Sequence, residues 1–218
     1  AEQYRILLVQ RPSYAAAWFN LALVLRDMGK SAEAEDAYRS AIRAEPAEAK
    51  YRSGLALLYA DTGRPADAAR LFQEALEIDP RDAASRYNLA VQQRRLGRSD
   101  LAIEDARRAV AVEPGFKKGW LLLADLLAVT DDHRGAAEAL GHALAADPAD
   151  PLTRYELGKQ QFELGEHAAA AGSYREALKK VRDNAWIWYH LGKAEQALGR
   201  GQAAQDAYKA SLAVDPDM

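Results

Sequence analysis

The sequence has no cysteine. Disulfides, thiolate metal sites and a cysteine nucleophile are therefore excluded, while a reducing compartment and an oxidising one, cytoplasm or periplasm, both stay open. No apolar run approaches the roughly 18 to 20 residues that a membrane-spanning helix needs. The longest candidate, Trp120 to Val129, is short and is interrupted by Asp125, so direct insertion into a membrane is not expected. A basic excess is missing too: 29 Lys and Arg stand against 32 Asp and Glu, a formal charge of −3. That balance removes the phosphate attraction that dominates nucleic-acid binding, and nucleic acid is not an expected partner. There is no initial methionine and no signal-peptide pattern, and the sequence reads as a segment of a longer polypeptide.

Catalytic signatures are also lacking. Met28-Gly29-Lys30-Ser31 contains Gly-Lys-Ser, but a P-loop needs another glycine five residues before Gly29, where Val24 stands. Gly199-Arg200-Gly201 is a fragment of a dinucleotide signature with no strand before it. The four histidines, His133, His142, His167 and His190, form no i, i+4 pair that would make a metal face. The serines have no nucleophile-elbow context, and the Asp-Pro and Glu-Pro pairs sit at turns. The expectation is a non-enzymatic segment with no cofactor and no metal.

What the sequence does have is alanine and a period. Alanine fills 47 of 218 positions, a composition suited to closely packed helices because alanine combines the best helix propensity with the smallest side chain. Six of the eight prolines, Pro12, Pro46, Pro80, Pro114, Pro148 and Pro216, fall on a grid of 34 residues, with Arg182 in the missing slot. With Ala15 as position 1, position 7 is always leucine (Leu21, Leu55, Leu89, Leu123, Leu157, Leu191) and position 8 is always alanine or glycine. Position 20 is always alanine, and position 24 is aromatic or leucine except at Ala106. Position 15 is glycine except at Asp131, which suits a residue that ends a helix in the left-handed conformation. Ser31 and Ser99 then stand where an N-cap is expected, and Pro65 where a first-turn proline forfeits no hydrogen bond. Proline at position 32 closes each unit. Each unit is thus a helical hairpin whose apolar stripe is buried only by stacking on its neighbours.

This register resembles the tetratricopeptide repeat, whose pattern runs W-x2-L-G-x2-Y, then A-x3-F, then A, then P. The resemblance covers the chain: residues 1–14 match the second helix of a preceding partial repeat (Tyr4, Leu7, Pro12), and six repeats follow at 15–48, 49–82, 83–116, 117–150, 151–184 and 185–218. It implies an all-α fold, a right-handed superhelical solenoid of hairpins forming one domain. Position 4 departs from the pattern. It is Trp18, Trp120 and Trp188 in three copies but Arg52, Arg86 and Arg154 in the others, which leaves the tightness of packing of those first helices open; an arginine can still lay its stem on the neighbour and keep its head in water. Arg182 in place of proline lets the fifth second helix run slightly long.

At 100° per residue, positions 4, 7, 8 and 11 of the first helix form a packing seam, and positions 2, 5, 9 and 12 lie roughly opposite. The resemblance implies that this opposite set lines a concave groove that binds peptide. With the position-6 asparagines, the candidate groove residues are Phe19, Asn20, Arg26, Lys50, Tyr87, Asn88, Arg94, Lys118, Tyr155, Lys159, Phe162, Trp186, Tyr189 and Lys193. Positions 2, 5, 9 and 12 hold six cations and one acid, Asp125. Adding positions 6 and 13 brings Arg95 but also Asp27, Asp61, Glu156 and Glu163, and cuts the excess from five to two. Asn20 and Asn88 stand where relatives such as O-GlcNAc transferases carry a backbone-gripping asparagine ladder, but only two of the six copies have one. The chaperone-tail carboxylate clamp is matched only by Asn88 and Lys118.

The resulting expectation is a protein-interaction module with a scaffolding role, binding an extended or acidic peptide segment in its groove. The alternative is the substrate-recognition arm of a larger enzyme of glycosyltransferase or sulfotransferase type, or a component of a bacterial secretion or assembly machine. The terminal repeats lack a polar cap, so their faces are expected to meet either more of the same polypeptide or another copy end to end.

Overall fold

The computed structural model describes residues 1–217 and is helical throughout, with no strand among them. The chain divides into two compact units, Ala1–Glu113 and Pro114–Met218. The first unit contains α1 (Glu2–Gln10), α2 (Ala15–Asp27), α3 (Ser31–Ala44), α4 (Ala49–Asp61), α5 (Pro65–Ile78), α6 (Ala83–Arg95) and α7 (Ser99–Val112). The second contains α8 (Lys117–Val129), α9 (His133–Ala146), α10 (Pro151–Glu163), α11 (His167–Leu178), α12 (Ala185–Ala197) and α13 (Gly201–Val214). Within each unit, helices pack as hairpins (α2/α3, α4/α5, α6/α7; α8/α9, α10/α11, α12/α13), and each hairpin's second helix packs on the first helix of the next.

The turn inside every hairpin has one geometry. Gly29, Gly63, Gly97, Gly165 and Gly199 have φ of 72 to 76°, and Asp131 has φ 61°. After α2, the Gly29 amide donates to the Arg26 carbonyl and the Lys30 amide to the Leu25 carbonyl, both at 2.9 Å. That is the Schellman pattern, repeated at Arg64, Arg98, Asp132, Glu166 and Arg200. It also explains why Ser31 and Ser99 are not N-caps. The residue after the glycine closes the first helix and at the same time caps the second, so Lys30 and Arg98 hold the cap position without a side-chain bond, and the serines become the first helical residues. Pro65 occupies the first turn of α5 as expected.

Small residues set the helix spacing. Ala22, Ala56 and Ala90 at position 8 are fully buried, as are Ala34, Ala68, Ala102, Ala136 and Ala170 at position 20. At Gly158 and Gly192 an added β-carbon would lie 2.5 Å from the rings of Tyr174 and Tyr208, so these glycines admit aromatic side chains against the helix backbone. The position-7 leucines are buried except Leu157, which is half-buried.

Position 4 is tied down in all six copies. Trp18, Trp120 and Trp188 donate from the indole to the carbonyls of Pro12, Pro114 and Arg182 at 2.7, 2.8 and 2.9 Å. Arg86 and Arg154 make the same bond to Pro80 and Pro148 at 3.2 and 3.1 Å, and Arg52 makes it to Pro46. The arginine heads are therefore not simply solvated. Arg52 and Arg86 keep only 18% and 13% of their side chains exposed, with Glu74 and Asp105 beside them. Burial raises the Asp105 carboxyl above its ordinary value despite the neighbouring Arg86 and Arg108. The fifth second helix is also shorter than expected. Where α3, α5, α7, α9 and α13 have 14 residues, α11 has 12, and the chain turns at Lys179–Lys180 with 3₁₀-type bonds to Glu176 and Ala177.

Candidate functional site

In the first unit the candidate residues lie on α2, α4 and α6, and several already have partners. Phe19 is not a free groove side chain. Its ring packs 5.8 Å from Tyr38 and 5.3 Å from Tyr51, against the hydrophobic core. Gly54 makes room for it, because a β-carbon there would stand 2.7 Å from Tyr38 and 2.8 Å from Phe19. Arg26 lies 3.7 Å from Asp27, and Lys50 lies 3.4 Å from Glu48 and 5.2 Å above Tyr51. Asn20, Tyr87 and Asn88 are half-buried and Arg94 is exposed. Arg95, read from sequence as a rim cation, turns back to the Ala60 carbonyl at the end of α4, at 3.0 Å.

In the second unit, α10 and α12 bring most of their candidates into one cluster. Tyr155 packs 5.8 Å from Tyr174 and 5.5 Å from His190; Trp186 and Tyr189 stand edge to face at 6.2 Å; Tyr189 also meets His190 at 5.5 Å. Trp186 is 58% exposed and Tyr189 38%. Lys193 lies 5.1 Å above Phe162 and 6.0 Å above Tyr189, with no carboxylate partner among the described residues. Lys159 is different: it pairs with Glu156 at 2.9 Å and lies 5.6 Å above Tyr155. Lys118 is exposed at the start of α8. The basic stripe counted from sequence is therefore partly neutralised in place, since Arg26, Lys50 and Lys159 each have an acid within 4 Å.

His190, absent from the expected set, is the hub of this cluster. Its Nδ1 lies 2.8 Å from the Trp186 carbonyl, which can only accept, so that nitrogen carries the proton; the Tyr155 hydroxyl is 3.2 Å away. Burial lowers the His190 pKa and the Trp186 carbonyl opposes that; Lys193 and Lys159 lower it further, while Glu156 raises it. Burial and Glu156 push Tyr155 up to about 12, so both rings are neutral near pH 7. The imidazole's place follows from position 6, the asparagine position of other repeats.

A second feature of this unit was also outside the expected set. A depression of about 410 Å³ opens between α8, α9 and α10, lined by Leu121, Ala124, Asp125, Ala128, Val129, Leu140, Glu156, Lys159 and Gln160. Its walls are small or aliphatic, and its mouth carries charge. In sequence Leu121, Asp125, Ala128 and Lys159 fall in the groove-facing set, but nothing in their spacing shows that a hollow forms beside them.

Comparisons with known proteins agree with this architecture. Models described as tetratricopeptide repeat or TPR repeat match residues 1–49, 21–83, 71–104, 158–199 and 187–218. No curated protein matches the sequence. Among solved structures, MamA superposes with a TM-score of 0.72 at 19% identity, over 78% of this chain and 93% of that one. PilF of Pseudomonas aeruginosa gives 0.70 at 17% identity, over 94% and 93%. YrrB, described as a TPR protein with an unusual peptide-binding site, gives 0.69 at 16% identity, over 94% and 97%. At these identities the superpositions speak to fold alone. With helical hairpins on a 34-residue period, left-handed residues at every position 15 and repeat models matching at both ends, the chain belongs to the tetratricopeptide repeat family.

Proposed function

We propose that this chain is a protein-interaction module that holds an extended peptide segment, preferentially an acidic one, against the faces of its first helices, in a scaffolding role. The observation that carries this reading is the α10/α12 cluster: Trp186 and Tyr189 are exposed on α12, and Lys193 of the same helix lies over the Phe162 and Tyr189 rings with no carboxylate partner among the described residues. Exposed aromatics beside a cation supply contact area and charge selection at one place, the composition of binding hot spots. YrrB, similar in fold, is described as having a peptide-binding site, which supports a peptide as the ligand class. Lys118 on α8 belongs to the same reading of the second unit, and the candidate residues of the first unit carry it for that unit by itself.

Titrating the protein with fluorescein-labelled acidic and basic peptides of matched length tests it. Saturable binding of the acidic peptides is expected, weakening several-fold between low and physiological salt and weakening again in Lys193→Glu. Equal affinity for both peptide classes, unchanged by salt, would overturn the acidic preference.

A further inference from the structure

Building on that reading, we propose that the second unit recognises its peptide at two points. An apolar side chain enters the depression between α8 and α10, and a carboxylate about three residues away along the peptide meets Lys193 on α12. Three observations lead there.

The first is size. A volume of about 410 Å³ lies near the lower end of the 300–1,000 Å³ of small-molecule sites, and an open hollow of that size suits one or two side chains. Its lining by Leu121, Ala124, Ala128 and Leu140 selects aliphatic or aromatic ones.

The second is the order of charge. The one ammonium lining the hollow, Lys159, is already held by Glu156 at 2.9 Å. A ligand carboxylate gains nothing there. On α12, Lys193 lies over the Phe162 and Tyr189 rings and has no ion pair among the described residues. The apolar point and the acidic point are therefore separated, and a peptide carrying its acid next to its anchor fits poorly.

The third is spacing. Glu156 and Lys159 on α10 border the hollow, and Lys159 also lies over the Tyr155 ring that packs on His190 of α12, so the two points are one helix apart. Packed helices sit about 8–10 Å apart and an extended chain advances about 3.3 Å per residue, which sets the separation at roughly three residues in either chain direction.

Selection from a random twelve-residue peptide library on the full chain tests the proposal, followed by resynthesis of an enriched peptide. Enriched sequences are expected to share Leu, Ile, Met or Phe placed two to four positions from Asp or Glu. Replacing the apolar residue by Ser should weaken binding to the wild-type protein about tenfold or more, and Lys193→Gln should remove most of the penalty for changing the peptide's acid to amide. Ala128→Phe, filling the hollow, should mimic loss of the anchor while thermal unfolding stays cooperative. The peptide substitutions on wild-type protein keep the test decisive if that variant misfolds. Enriched peptides without the paired residues, or binding indifferent to anchor and spacing, would overturn the two-point proposal and leave the peptide-binding reading standing. Failure to enrich any peptide would overturn both.

Discussion

The indole of Trp188 donates to the carbonyl of Arg182 at 2.9 Å, although Arg182 occupies the slot that the other repeats give to proline. The bond needs only the carbonyl of position 32 and a long planar donor at position 4, so tryptophan and arginine are interchangeable there. Arg154 makes the equivalent bond to Pro148 at 3.1 Å.

Trp188→Arg should therefore be tolerated better than Trp188→Leu, although leucine is the more apolar choice. A difference of about 1 kcal/mol in favour of arginine is expected from the retained hydrogen bond, read from urea unfolding midpoints. Equal cost for both variants would mean that packing alone matters at this position.

Asp131 carries φ 61°, where five other turns place glycine. A side chain in that region costs roughly 1 kcal/mol, so Asp131→Gly should stabilise the protein by about 0.5–1 kcal/mol. Asp132, the next residue, accepts from the Gly135 amide and keeps the cap of α9 in the variant. An unchanged or lowered melting temperature would contradict this.

Lys117 joins the start of α8 to the loop before α10, reaching Asp147 at 2.7 Å and Asp150 at 2.8 Å. Burial works to raise the Asp150 carboxyl, but bonds from the Lys117 ammonium, the Thr153 hydroxyl and the Leu152 amide outweigh it and hold the carboxyl at about 2, below its ordinary 3.8. Because the folded value lies below the unfolded one, the ionised Asp150 stabilises the fold fully above about pH 4, and this contribution is lost as pH falls through about 2. Asp150→Asn should thus destabilise the protein by about 1 kcal/mol at pH 7 and by progressively less toward pH 2. A pH-independent difference between the two proteins would contradict the ion pair's role.

Much of this fold was legible because its rules are local. The left-handed turn at Asp131 and the first-turn proline at Pro65 could be read without knowing what packs where, since each depends on the backbone of one residue. The caps at Ser31 and Ser99 were misread for an equally local reason: in so short a turn, Lys30 and Arg98 serve both helices at once. Interactions between repeats were harder to see. The sequence shows Lys159 as a groove cation, but its neutralisation by Glu156 depends on which rotamers meet on the helix surface. Phe19 follows the groove spacing, yet Gly54 on the next hairpin opens a space that draws its ring toward the core. The hollow over Ala124 and Ala128 has no sequence signature, because it is made by what small residues leave unfilled.

The central claim is that ligand contacts fall on the first helices, and photo-crosslinking reads this most directly. With benzoylphenylalanine in place of Trp186 or Val129, on the first helices, or in place of Glu138 or Lys209, on the second helices, each protein is irradiated with a selected peptide. Crosslinks at 186 and 129, with none at 138 and 209, are the result this account predicts. Crosslinks confined to the second-helix positions would contradict it.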